Sequence, residues 1–217
     1  MREQPADPTS SSSQPTRYPS SVVPISRAAG RRKLEPVELS RWLEERAERL
    51  RDRWLGEVRA RDVAWSDEIE ELTRDFLDLF VLVLPHGLGP YREQVEPLWL
   101  QASELFGQMA AQRGLAAGEV IEEFQILRDA LIRLLYQDPP VQGAEPLSLR
   151  DILRMNRFID RGVTQASVGH TDALFFSLFQ GSGVAESLTD DVRGEIRHQL
   201  SGIRREVEAV LRFLRRG

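Results

Sequence analysis

The sequence holds no cysteine and one lysine, Lys33. Without cysteine there is no thiolate zinc site, no thiol nucleophile and no disulfide staple. With one lysine, nearly all the positive charge is arginine. A net charge of -5 argues against nucleic acid as a partner, because a phosphate backbone selects for a basic face. Long apolar runs are missing too. The strongest covers residues 76–84, is interrupted by Asp78 and stops at Pro85, far short of a bilayer span. The N-terminus has no apolar h-region, so neither a secretory signal nor a membrane partner is expected, and a cytoplasmic location follows by default.

Catalytic signatures are equally scarce. The sequence has no Gly-rich phosphate loop, nucleophile elbow or paired-histidine metal motif. His86, His170 and His198 share no metal-ligand spacing. Glu44, Glu45, Glu48, Glu70, Glu71, Glu122 and Glu123 fall on the polar faces of expected helices, where solvation is the ordinary role. No catalytic residue, metal ligand or cofactor is therefore assigned, and the chain is not read as an enzyme.

What is present is helical period. Residues 1–33 are rich in Ser and Pro and poor in apolar side chains, the composition of a disordered tail. From Leu34 onward, Leu39, Trp42, Leu43, Leu50, Trp54, Leu55 and Val58 recur at three- and four-residue steps, with Pro36 suited to the first turn. Ser66 caps a second helix that Pro85 is expected to end, leaving Pro85-His86-Gly87-Leu88-Gly89-Pro90 as a turn with His86 exposed. A third helix covers about 91–113, with Pro97 as a late start or kink and Gly114 as its stop. A fourth covers about 117–137, a fifth about 148–179, and a last one about 189–215. No stretch alternates with a period of two. The expected fold is all-α: about five helices in a domain over 34–180, and a coiled-coil-like C-terminal helix over 181–217.

Three features invite a function. His170 continues the stripe Ile152, Ile159, Val163, Ala166, which places it on the buried face of the fifth helix. A histidine there could ligate haem; a packed core histidine is the plainer reading. The tryptophans Trp42, Trp54, Trp65 and Trp99 suit core packing, or the lining of an apolar ligand cavity. The last helix carries Ile196, Leu200, Ile203, Val207, Val210 and Leu214 in alternating four- and three-residue steps, a short coiled-coil seam for dimerisation and signalling or, equally, a last core stripe.

Trp54-Leu55, Arg113-Gly114-Leu115, Glu119-Val120-Ile121-Glu122-Glu123-Phe124-Gln125-Ile126-Leu127-Arg128 with Leu131, and Asn156-Arg157-Phe158-Ile159-Asp160 resemble a family. It is the RsbRD-type N-terminal sensor domain of the RsbR co-antagonists of the bacterial stressosome, also found ahead of sensor histidine kinases. The resemblance spans about residues 34–180. It implies a non-haem, globin-like helical domain that forms a homodimer and controls a regulatory partner (a kinase, a STAS protein or an anti-sigma factor) in signal transduction or stress response. Unlike the family pattern, no STAS or kinase domain follows in this sequence. Ile196-Arg197-His198-Gln199-Leu200-Ser201-Gly202-Ile203 also resembles the phosphoacceptor box of two-component sensor kinases, with His198 on the outer face. Gln199 stands there in place of the usual acidic residue, and the usual proline is missing. Two alternatives stay open beside the regulatory module: a haem or small-ligand globin-like sensor, and a truncated histidine kinase.

Overall fold

A computed structural model describes residues 34–61, 65–140, 148–179 and 188–214, and these form seven α-helices with no strand among them. They are α1 (Pro36–Glu44), α2 (Ala47–Arg59), α3 (Asp67–Leu88), α4 (Arg92–Gln112), α5 (Ala117–Gln137), α6 (Leu149–Phe179) and α7 (Asp190–Leu214). The fold is all-α, as the periodicity predicts. The expected tail over 1–33 lies outside the described residues.

Local signals set several ends. The Ser66 hydroxyl accepts the Ile69 amide at the start of α3, ahead of Asp67, Glu68 and Glu70 in the first turn. After α4 the chain turns on Gly114, at φ +78°, where a residue with a side chain would be strained. The Leu115 amide then donates to the Ala110 carbonyl and the Gly114 amide to that of Ala111. This satisfies two carbonyls that the helix end leaves over.

Other ends depart from expectation. The stripe over residues 39–58 is two helices with an elbow at Glu45 and Arg46. No glycine or proline marks that elbow. Arg46 lies over the Trp42 ring, donates to the Trp42 carbonyl, and reaches Asp138 at the end of α5 at 2.8 Å. A long-range tether therefore accompanies a turn that local sequence does not announce. Pro85 does not end α3, which continues to Leu88. The ring removes one backbone donor, but the segment after it is buried and Arg154 of α6 donates to the Leu88 carbonyl. Pro97 neither delays nor splits α4, which starts at Arg92.

The core is an aromatic cluster. Phe80 of α3 has its ring centroid 5.0–6.4 Å from those of Trp54, Phe76, Trp99, Phe106 and Phe124, and Trp99 in turn meets Phe158 at 4.7 Å. Most of these contacts are tilted or edge-to-face, the arrangement that ring quadrupoles favour. Trp42, Trp54 and Trp99 are buried, as stripe positions require, and Trp65 is half-buried.

Two helices cover α4. Helix α6 lies against it at backbone range: a Cβ on Gly107 would fall 1.8 Å from the Ala166 carbonyl oxygen, and one on Gly169 would fall 2.1 Å from that of Glu104. Only hydrogen fits at either place. Helix α7 packs across α3 and α4 through Ile196, Leu200, Ile203, Val207 and Leu211, all buried, with Val210 and Leu214 half-buried beside them. The heptad-like stripe is thus filled by this chain's own core.

Candidate functional site

The sequence candidates do not converge. His170 sits in the α4–α6 seam, 2% exposed, with Nε2 2.7 Å from the Leu115 carbonyl oxygen. A carbonyl only accepts, so Nε2 carries the proton there and Nδ1 is left bare and buried without a partner. The seam gives no room for a porphyrin. Gly107, whose missing Cβ would lie 2.9 Å from the His170 amide nitrogen, presses α4 directly onto that turn of α6. The residues present do not fit a haem ligand set.

His86 is buried, not exposed: it lies on the continuing α3 helix, with Nε2 3.8 Å from Glu44 of α1. His198 is exposed on the outer surface of α7, on the opposite side from the core. The three histidines stay apart, and no group of three or more metal-ligating side chains gathers among the described residues. No described helix is long and apolar enough to cross a membrane.

Glu123 overturns the solvated-face reading. It is 6% exposed and ion-pairs with Arg113 at 3.2 Å, while its backbone carbonyl accepts the Trp54 indole. The Arg113 guanidinium also lies over the Trp65 ring. This pair ties the loop after α4 to α5 and α2, and breaking it would leave a buried charge without its partner. The spacing of Arg113 and Glu123 carries no helix-face signal, so sequence alone does not reveal the pair. Glu44, Glu45, Glu48, Glu71 and Glu122 are exposed as expected, and Glu70 is half-buried.

Two surface features remain, and both lie around α6 and α7. The first is the end of α6. Leu174, Phe175, Phe176, Leu178 and Phe179 are exposed by 36%, 56%, 65%, 65% and 87%, and no charged residue occurs between Asp172 and the helix end. The second is a groove between α4 and α7. It consists of two contiguous hollows of about 360 and 510 Å³ that share Gln108 and Gln199. Leu105, Ile196 and Ile203 form its floor, and Phe176 stands at one end. The groove depends on helices about ninety residues apart in sequence, which explains why periodicity within one helix does not disclose it.

Comparison with family models, with curated proteins and with solved structures returns no match to this chain.

Proposed function

We propose that this chain is a non-catalytic sensory or regulatory module that pairs with a second copy through the exposed end of α6. In that form it controls a partner protein in cytoplasmic bacterial signal transduction or stress response. The reading rests on the apolar end of α6. At about 200 Å² per phenylalanine ring, the exposed parts of Phe175, Phe176 and Phe179 leave roughly 400 Å² of apolar surface open to water. Leu174 and Leu178 extend it, towards the range of about 800 Å² per partner found in stable complexes. A patch of this size on a lone helix end is a contact surface awaiting its cover.

The resemblance to the RsbRD-type sensor domain supports the same reading, because its implied pattern is an all-α dimer without haem. The dimer contact moves, however, from the α7 stripe to the α6 end, since Ile196, Leu200, Ile203 and Val207 are already buried within the chain.

Light scattering on the full chain at roughly ten to a hundred micromolar should report a dimer, the range in which modest apolar contacts pair. Phe175→Asp with Phe179→Asp should give a folded monomer, its melting temperature lowered only by the small contribution of the lost pairing, because both side chains lie outside the core. A monomeric wild type, or a dimer that survives the double substitution, would remove this reading.

A further inference from the structure

We infer that the α4–α7 groove is the docking site for a basic amphipathic helix of a partner protein. The inference deepens the regulatory reading by assigning that partner a chemistry.

The groove has the form that such a helix needs. Its lining runs from Val192 to Glu206 on α7, about 20 Å at the helical rise, which accommodates roughly four turns of a third helix. The floor of Leu105, Ile196 and Ile203 is apolar and buried along the seam. An apolar floor between polar walls receives one stripe of an amphipathic helix.

Charge selects the occupant. Every charged residue among the described groove residues is acidic: Glu104 on α4, Asp172 on α6, Glu195 and Glu206 on α7. Elsewhere, several carboxylates stand opposite arginine, as in Arg51–Asp78, Arg92–Glu96, Arg128–Asp160 and Arg197–Glu71. Among the described residues, none of the four groove carboxylates has such a partner. Glu104 and Glu195 take hydrogen bonds only from the neutral amides of Gln165 and Gln199. A protein with so many arginines leaves these walls to a cation from outside, and complementary potentials favour both encounter and register.

The same facts argue against a second copy as the occupant. The α7 side bearing Arg197, Arg204, Arg205 and Arg212 exposes only Ala209 and, at its end, Phe213 among them, too little for a stripe along the whole floor. The apolar end of α6 offers no base. Neither surface combines the two properties that the groove requires, whereas a basic amphipathic helix does.

The test uses the folded full chain and two labelled peptides of about four helical turns. Both carry one leucine stripe, flanked by lysine and arginine in the first and by glutamate in the second. Fluorescence anisotropy should show the basic peptide bound about tenfold or more tightly than its acidic twin, and more weakly as salt rises above about 0.15 M. Glu195→Arg with Glu206→Arg should lower its affinity about tenfold or more. Glu48→Arg with Glu57→Arg makes the same change in net charge on exposed sites of α2, and should leave affinity within about twofold. Should the arginine pair in the groove disturb folding, as read by circular dichroism, Glu195→Gln with Glu206→Gln carries the same expectation of weaker binding. Equal binding of the two peptides, or equal loss in both double variants, would overturn the docking site and leave only an attraction to net charge. A dimer that is lost in the groove variant would overturn it as well, because a second copy would then occupy the groove. Light scattering separates the two ideas: a stable α6 dimer without peptide selectivity removes the groove alone, and a selective monomer removes the dimer alone.

Discussion

Helices α6 and α7 both cover α4, yet they do so by opposite means. Helix α6 presents Ala166 and Gly169 and receives Gly107 in return, so the two backbones come together there with almost nothing between them, while Gly162 makes room for the Trp99 ring. Helix α7 meets α3 and α4 through Ile196, Leu200, Ile203 and Val207, whose branched side chains hold the helix axes further apart. Close packing of the first kind excludes ligands: it encloses His170 between two backbones in direct contact. Packing through large side chains leaves a furrow along the seam edge, and this is where the groove lies. One seam is a mechanical joint, and the other provides a surface.

The largest expected effect comes from forcing the α6 seam open. Gly169→Leu would drive a side chain into the Glu104 carbonyl, where even a Cβ falls 2.1 Å away. A backbone atom cannot move aside as a side-chain end can. The expected cost is at least the 1–3 kcal/mol of ordinary overpacking, about 3 kcal/mol or more, read as a drop in the urea midpoint. Equal stability of the variant and the parent chain would mean that the two helices are not in backbone contact. Gly202→Leu on α7 meets nothing within 4 Å of its Cβ and should raise the midpoint slightly, by the roughly 0.5–1 kcal/mol that a glycine costs inside a helix.

A smaller loss is expected from His170→Ala. The substitution opens a cavity at the seam and leaves the Leu115 carbonyl without its 2.7 Å donor. The expected cost is about 1–3 kcal/mol. Chain purified from cells supplied with a haem precursor should show no Soret band, either before or after this substitution. A Soret band that disappears in His170→Ala would reinstate the haem-sensor reading and contradict the closed seam.

The comparison also explains what could be read from the sequence. The limits of α5, α6 and α7 follow from local signals: Gly114 in its left-handed turn, the Asp138-Pro139-Pro140 stop, and apolar stripes at helical steps. The elbow at Glu45 and Arg46 is not legible, because its long-range tether, Arg46 to Asp138, spans 92 residues. Pro85 misleads for a related reason: contacts with α1 and α6, and Arg154 on the Leu88 carbonyl, hold the turn after it, and none of them is local in sequence. Glu123 reads in the sequence as part of a polar helix face, and only the fold brings Arg113 to it. The α7 stripe was visible, but its periodicity is the same whether the partner is another chain or its own core. The groove lies at the edges of two stripes and belongs to neither, so no single-helix pattern contains it.

The smallest effect tests the other side of α7, where its arginines face α3. Asp75 of α3 is half-buried there, with Arg197 and Arg204 drawing its proton off and Glu71 and Asp78 opposing them. Burial outweighs the arginines and holds the Asp75 carboxyl above the ordinary range. The folded chain therefore keeps this proton to a higher pH than the unfolded chain does. The resulting stability is fully present below the unfolded value, near pH 3.9, and is lost as pH rises through the raised folded value. Asp75→Asn cannot ionise and escapes that loss. Its melting temperature should exceed that of the parent chain at about pH 7, and the gap should close by about pH 3. A variant less stable at neutral pH would mean that attraction to Arg197 and Arg204 outweighs desolvation. This side of α7 would then be held by charge, and its contrast with the unpaired groove side would be sharper still.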